Sequence, residues 1–341
     1  MVCQPNPAEE GGQSLPQSVH RYSLNTNRPI WDLAKALAIG DAPQMMELPA
    51  SDIERLIAPW VHAEVGPQDP RWIAAAGPLP AMAKRARRRT QLLRLIGRAR
   101  GQKDVHAIYQ HQIWPANDFA DLLDPNADST PVVWGKRLFL AGKMATKRVH
   151  LALLMNAIET VSPDRVLEVG SGAGLNVLVL AARFPDIEFV GAELSEAGVA
   201  AANIVAAEGI PPILAAFSPE PVKAAGPLGN VRSVEADASA LPFTSGEFDL
   251  VFSAHALEQM EEVRHSALAE MARVSGGYVA MIEPFSDWNA DGLRRNMILA
   301  KRYFQGSIAD LKNYGLTVEH VNADIPAKLT MGMGFSLCHK A

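Results

Sequence analysis

Residues 166–174 read Val-Leu-Glu-Val-Gly-Ser-Gly-Ala-Gly, an apolar strand ending in glycines at every second position and running straight into an apolar helix pattern over 175–182. Gly170, Gly172 and Gly174 let the backbone bend sharply and approach a nucleotide-like ligand, because glycine tolerates positive φ and brings no Cβ. The spacing argues against a dinucleotide. That fingerprint is G-x-G-x-x-G, with a pyrophosphate seated on the helix N-terminus. Here the third glycine comes one residue early and Leu175 stands in the dinucleotide position.

Two acids follow at strand ends. Residues 187–194 read as a second buried strand, and Glu193 sits at its C-terminal end, about 20 residues past the glycine loop, where an acid accepts hydrogen bonds from both hydroxyls of a ribose. A third strand, 231–236, ends at Asp237-Ala238, followed by Leu241-Pro242-Phe243 and then Phe248-Asp249-Leu250-Val251-Phe252. Taken in order, Glu168 through Gly174, Glu193 and the Asp-Ala-x-x-Leu-Pro-Phe passage resemble the class I S-adenosylmethionine (SAM) methyltransferases, in their type 11-like form. The resemblance covers roughly 140–341 and is best over 166–260. It implies SAM as cofactor, held by Glu168, Gly170, Gly172, Gly174, Glu193, Leu194, Asp237, Ala238 and Ser253, with Asp237 on the exocyclic amine of the adenine. Read singly, Glu193 is also an ordinary strand-end acid and Asp237 an ordinary turn cap.

The later elements alternate: strand 250–253, helix 261–274, strand 278–282, a helical stretch over 293–304, then strands 317–321 and 334–338. Alternating β and α units imply an α/β fold with a parallel, doubly wound sheet. The resemblance implies a Rossmann-like sheet of seven strands whose last strand enters antiparallel, and two closing strands with no helix between them suit that. Residues 210–230, with five prolines, read as an insertion, serving either as a contact surface or as a flexible loop.

Ahead of the glycine loop the pattern is mainly helical. Residues 1–25 are expected to lack fixed structure, 26–139 to form a helical accessory or lid domain, and 140–341 the SAM-binding domain. A helix is expected over 31–38 behind Pro29, and Ser51-Asp52-Ile53-Glu54 has the pattern of a capping box before Leu56, Ile57, Trp60 and Val61. Residues 84–103 hold nine Lys or Arg and no acid, with Leu92, Leu95 and Ile96 as a short apolar stripe. This predicts a basic amphipathic helix, either packed by that stripe against the acidic half or gripping RNA phosphates, an anionic membrane surface or an acidic substrate. The turn-rich run 124–131 predicts a hinge before a helix over 142–160.

Composition narrows the classes. The chain has 341 residues, 48% hydrophobic and 20% charged, so two domains with a sizeable core are expected. Net charge is −5, yet residues 1–150 hold 19 Lys and Arg against 14 Asp and Glu, and 151–341 hold 13 against 23. Cys3 and Cys338 are the two cysteines, without metal-ligand spacing, so no disulfide framework, no metal site and a reducing cytoplasm are expected. No window reaches the roughly 18 apolar residues a spanning helix needs, so no membrane partner is expected. A homodimer through the accessory region is left open.

Methyl transfer is a direct displacement at a carbon already activated by a sulfonium. The enzyme therefore mainly aligns its reactants and, for a hydroxyl acceptor, removes a proton. His255, just past the fourth strand, is the first candidate for that base, with backbone capping as the alternative. Glu258 and Glu283 are candidates to orient it or to bind the acceptor, against the reading of each as a solvated or capping carboxylate. Ser253-Ala254-His255 stands where an Asn/Asp-Pro-Pro-Tyr passage holds an amino-bearing base in many DNA methyltransferases, which turns the reading from nucleic acid toward a small-molecule oxygen acceptor. Trp114, Trp134, Phe285 and Trp288 are candidates for an apolar wall of the acceptor pocket, with core packing as the default reading of each. An RNA methyltransferase docking through 84–103 and a non-catalytic SAM-binding protein are the competing readings.

Overall fold

The computed structural model describes residues 43–96, 107–108, 110 and 119–341. Residues 1–25, the helix expected over 31–38, Cys3, Arg98, Arg100, Lys103 and Trp114 lie outside the described residues. In chain order the strands are β1 (Gln44–Met45), β2 (Val61–Val65), β3 (Ser129–Trp134), β4 (Arg137–Gly142), β5 (Arg165–Val169), β6 (Glu188–Glu193), β7 (Val231–Glu235), β8 (Phe248–Ala254), β9 (Ser275–Glu283), β10 (Leu316–Asn322), β11 (Ala327–Lys328) and β12 (Gly334–Lys340).

The central sheet runs β1-β10-β12-β9-β8-β5-β6-β7. Strands β9, β8, β5, β6 and β7 pair in parallel, and β12 is antiparallel to both of its neighbours. The expected seven strands are all present, and the two-residue β1 adds an eighth at the edge beside β10. Both faces are covered, as parallel strands require. Along β8, Leu250 and Phe252 join the core built with helices Ala145–Val161 and Leu175–Arg183, while Phe248 and Val251 join the core built with helix Arg264–Val274. The period of two separates Val251 from Leu250 and Phe252, and the register shift between Phe248 and Leu250 brings Phe248 to the face of Val251.

The expected helical accessory domain is not purely helical. It holds helices Ala50–Ile57, Pro70–Ala76, Leu79–Leu95 and Phe119–Leu122, but also a small sheet ordered β11-β3-β4-β2, antiparallel throughout. The run 124–131 is no hinge: β3 begins at Ser129, and Gly135, at φ 56°, opens the two-residue turn to β4. The expected boundary at 139/140 falls inside β4, and the helix begins at Ala145 rather than 142. The β3–β4 hairpin is a plate between two cores. Val132, Phe139 and Ala141 face the main one, whereas Val133, Leu138 and Leu140 pack with Trp72 and with Leu329 from the far end of the chain.

The expected capping box does not form. Pro49 occupies the cap of helix Ala50–Ile57, and no side chain bonds there, although Ile53, Leu56 and Ile57 are buried as the spacing predicts. Pro59 ends this helix in a 3-10 turn over Ala58–Trp60. In the basic helix, Leu79–Leu95, the packed face is Ala83, Arg87 and Thr90, with Arg87 donating to Asn296 Oδ1 (3.0 Å) and Thr90 to the carbonyl of Ala300 (2.7 Å). Leu92 follows Ala83 by nine residues, about two and a half turns, so it points the other way. Leu92, Leu95 and Ile96 are 62%, 84% and 58% exposed, contrary to the expected packed stripe.

The 210–230 insertion is a contact surface. Leu214 and Phe217, on the short helix Pro212–Phe217, are buried, and Trp60 meets Phe217 edge-on with ring centroids 5.4 Å apart. Arg148 donates to the carbonyls of Phe217 and Ser218 (both 3.0 Å). Trp60 thereby ties the N-terminal region into the main core, and urea unfolding should show one transition. Trp60→Ala should lower the unfolding free energy by about 3–5 kcal/mol. Two transitions in the wild-type protein would show instead that the N-terminal region folds apart.

Candidate functional site

At the carboxyl end of β5 the three glycines take φ values of 77°, 57° and 86° at Gly170, Gly172 and Gly174. Gly170 is fixed twice over: its positive φ suits glycine, and a Cβ there would collide with the methyl of Ala256. The loop is pinned to β6, with the amides of Gly170 (2.8 Å) and Ser171 (3.1 Å) both donating to the carbonyl of Ala192. Glu193 then bridges two segments, one oxygen accepting from Gly172 N and the other from Ser195 N, each at 3.0 Å. The carboxylate thus holds the loop as well as facing the cleft, and each of its oxygens has capacity for more than one donor.

Glu168, on β5, is 1% exposed. One oxygen accepts from Asn176 Nδ2 at 2.7 Å; the other is buried without a hydrogen-bond partner. Burial pushes its pKa up to about 7, against the pull of Asn176 and Lys147. Asp237 is exposed, and its Oδ1 accepts from both the amide (2.8 Å) and the hydroxyl (2.7 Å) of Ser239. It does cap its turn, while lining the cleft with Leu194 and Ala238.

The residues after β8 form the catalytic candidate. His255 has φ 63° and donates its amide to the carbonyl of Ile282 at 3.1 Å. Its Nε2 is hydrogen-bonded to Nδ1 of His150 at 2.8 Å, and its Nδ1 lies 3.8 Å from Glu258. Burial first, then Lys147 and Lys328, hold the His255 pKa well below its ordinary value; burial and His255 do the same to His150. Burial raises Glu258.

Glu283 and Ser253 are placed otherwise than expected. Glu283 is fully buried and accepts from Ser253 Oγ (2.7 Å) and from the amides of Ala256 (3.0 Å), Leu257 (3.1 Å) and Glu258 (3.0 Å). Neither Glu283 nor Ser253 lines the cleft. They are the anchor of the turn that carries His255, so the catalytic assignment of the first and the cofactor assignment of the second are corrected: two buried polar groups at a strand end satisfied each other.

The cleft measures about 400 Å³. One wall is the glycine loop with Glu168, Glu193 and Asp237; another is His255 and Glu258. The rest comes from residues that the sequence reading did not single out, chiefly Phe119, Met144, Lys147, Lys328 and Met331. Of the expected aromatic wall, Trp134 donates to the carbonyl of Asp324, and Phe285 packs between Trp288 and Phe304. None of the three lines the cleft; each is engaged elsewhere. Asn176 and His150 also escaped the sequence reading: Asn176 lies one residue past the glycine run and its neighbour Leu175, and His150 is brought to the site only by tertiary packing.

Residues 167–281 match the family model described as a methyltransferase domain. Over 124 residues the chain is 34% identical to a demethylmenaquinone methyltransferase from Thermus thermophilus, covering 36% of this chain and 48% of that protein. The chain thus spans about half the length of this curated relative. Among solved structures, the magnesium protoporphyrin IX methyltransferase ChlM from Synechocystis PCC 6803 with bound SAM aligns at TM-score 0.45 and 12% identity, covering 70% of this chain and 97% of that one. The [4+2]-cyclase SpnF aligns at 0.46 and 16%, covering 71% and 97%.

The raised pKa of Glu168 has a measurable sign. The folded protein holds this proton more tightly than the unfolded chain, so the contribution to stability is complete below the ordinary value of 4.5 and is lost as pH rises to about 7. Across that window the loss is on the order of 3 kcal/mol. Urea unfolding of Glu168→Gln should show a flatter stability profile between those pH values than the parent; an unchanged profile would show that Glu168 is ionised throughout.

Proposed function

From the match of residues 167–281 to a methyltransferase-domain model, we propose that the protein is a class I SAM-dependent methyltransferase that transfers a methyl group from SAM to an oxygen of a small-molecule acceptor. The observation that carries the reading is the glycine loop braced by Glu193 at the carboxyl edge of the parallel sheet, beside a cleft that also exposes His255. The residues present fit the cofactor. Glu193 stands where a ribose acid is needed, and Glu168 offers a buried carboxyl oxygen that no protein donor meets. SAM supplies a methyl already activated on a sulfonium, together with a zwitterionic amino-acid end that carries an ammonium and a carboxylate.

In this reading Glu193 accepts the ribose hydroxyls, Glu168 and Asn176 receive the ammonium of the amino-acid end, and Asp237 and Leu194 border the base. His255 acts as the proton acceptor. With its Nε2–H donated to His150, the Nδ1 lone pair is the one left for an acceptor hydroxyl, and Glu258 is placed to offset the imidazolium that results. The depressed pKa keeps His255 neutral at pH 7, as a base must be at the start. The same depression weakens it, so the matching acceptor is an acidic hydroxyl, enolic or phenolic, rather than an alcohol.

Calorimetric titration with SAM and its demethylated product S-adenosylhomocysteine should show saturable binding that Glu193→Ala weakens by at least about tenfold, since two charge-assisted contacts are lost. No binding to the parent protein would end the proposal. For any hydroxylated acceptor that is turned over, His255→Ala should reduce kcat by about 10²–10⁴ with S-adenosylhomocysteine affinity retained. Undiminished turnover would remove the base and point away from an oxygen acceptor.

A further inference from the structure

Three lysines enter the cleft from elements that contribute nothing to the glycine loop. Lys143 follows β4, Lys147 lies in the first turn of helix Ala145–Val161, and Lys328 ends β11. Lys143 is exposed, whereas Lys147 and Lys328 are half-buried. Among the described residues none of the three forms an ion pair. They are mutually unfavourable: Lys328 disfavours the charge on Lys147, and Lys143 that on Lys328. An ammonium withdrawn from water beside another ammonium is costly unless something anionic meets it.

Among the described residues no carboxylate forms an ion pair with Lys147, although Glu258 first, then Glu168 and Glu283, favour its charge. Glu168 and Glu283 are pushed by burial to about 7 and about 8, so each is substantially protonated at neutral pH. Glu258 remains, set against both Lys147 and Lys328. Around the lysines the wall is apolar, formed by Phe119, Leu122, Met144 and Met331, and methionine adapts to irregular ligands.

We propose that Lys147 and Lys328 form an anion subsite that binds an acidic group, a carboxylate or an ionised hydroxyl, on an otherwise apolar methyl acceptor. This rests on the methyltransferase reading for the word acceptor, but the subsite itself does not. The occupant is an amphiphilic organic anion whose apolar body lies on Met144, Met331 and Phe119 while its acidic group meets the two ammonium groups. A neutral molecule of the same shape would leave those charges unpaired.

The test compares naphthoate with its neutral isostere naphthamide, by calorimetry, on protein saturated with S-adenosylhomocysteine and on protein without it. Naphthoate should bind at least about tenfold more tightly than naphthamide. The ratio should approach one in Lys147→Met/Lys328→Met and persist in Lys143→Gln, whose lysine is solvated. Saturable S-adenosylhomocysteine binding, whatever its affinity, shows that the double variant is folded; should it not fold, Lys328→Gln alone should still lower the ratio. Equal affinities in the parent, no detectable naphthoate binding, or a preference that survives both substitutions would overturn the subsite. Preference for naphthoate in a protein that fails to bind S-adenosylhomocysteine would keep the subsite and remove the methyltransferase reading.

Discussion

One buried carboxyl group determines where the cleft residues stand. Glu283, at the end of β9, gathers the hydroxyl of Ser253 and three successive amides, those of Ala256, Leu257 and Glu258. Three consecutive N–H groups can converge on one side chain only if the chain turns sharply after β8, and His255, at φ 63°, takes that bend. A non-glycine residue in the left-handed region is strained, and it persists because its surroundings over-determine it. The gathered turn also presses Ala256 against Gly170, so the packing that fixes His255 also leaves no room for a side chain in the glycine loop. Loop and His255 are thereby held in register by one group that does not itself line the cleft.

Burial acts on the ionisable groups of the cleft in two directions. It raises Glu168, Glu258 and Glu283 and lowers His150, His255, Lys147 and Lys328, since in every case it disfavours the charged form. The two imidazoles are thereby neutral at neutral pH, and the ionised form of each of the three carboxyl groups is disfavoured. The lysines start from a higher ordinary value of 10.5, so an equal penalty leaves more of their charge in place. The wall that bears Lys143, Lys147 and Lys328 therefore keeps positive charge, while Glu193 and Asp237 line the cleft with the glycine loop.

What could be read from the sequence followed the range of the interaction responsible. The glycine loop and Glu193 were legible because turn geometry and strand ends are local: the backbone demands glycine within five residues, and the strand end fixes the acid. Glu283 was misassigned because its role depends on four donors in and just after another strand, and a carboxyl at a strand end looks the same whether it faces ligand or backbone. The start of β3 falls in the turn-rich run 124–131 because Pro131 stands within it, and its partner β11 lies nearly two hundred residues on. The basic helix was recognised, but its packed face was chosen by hydrophobicity. Thr90 and Arg87 settle it with hydrogen bonds instead.

The division of the cleft explains why likeness to known proteins reaches only part of the function. The matched segment, 167–281, contains the glycine loop, Glu193, Asp237, His255 and Glu258. Phe119, Lys143, Met144, Lys147, Lys328 and Met331 all fall outside it, on either side. The second wall is built where the small sheet pairs β11 with β3, joining a C-terminal strand to the N-terminal hairpin, and helix Ala145–Val161 starts beside it. Its lysines and methionines can vary without disturbing the loop, because no hydrogen bond joins them to it among the described residues. The similarity to known proteins thus covers the glycine-loop wall of the cleft and leaves the wall of Lys147, Lys328, Met144 and Met331 outside it.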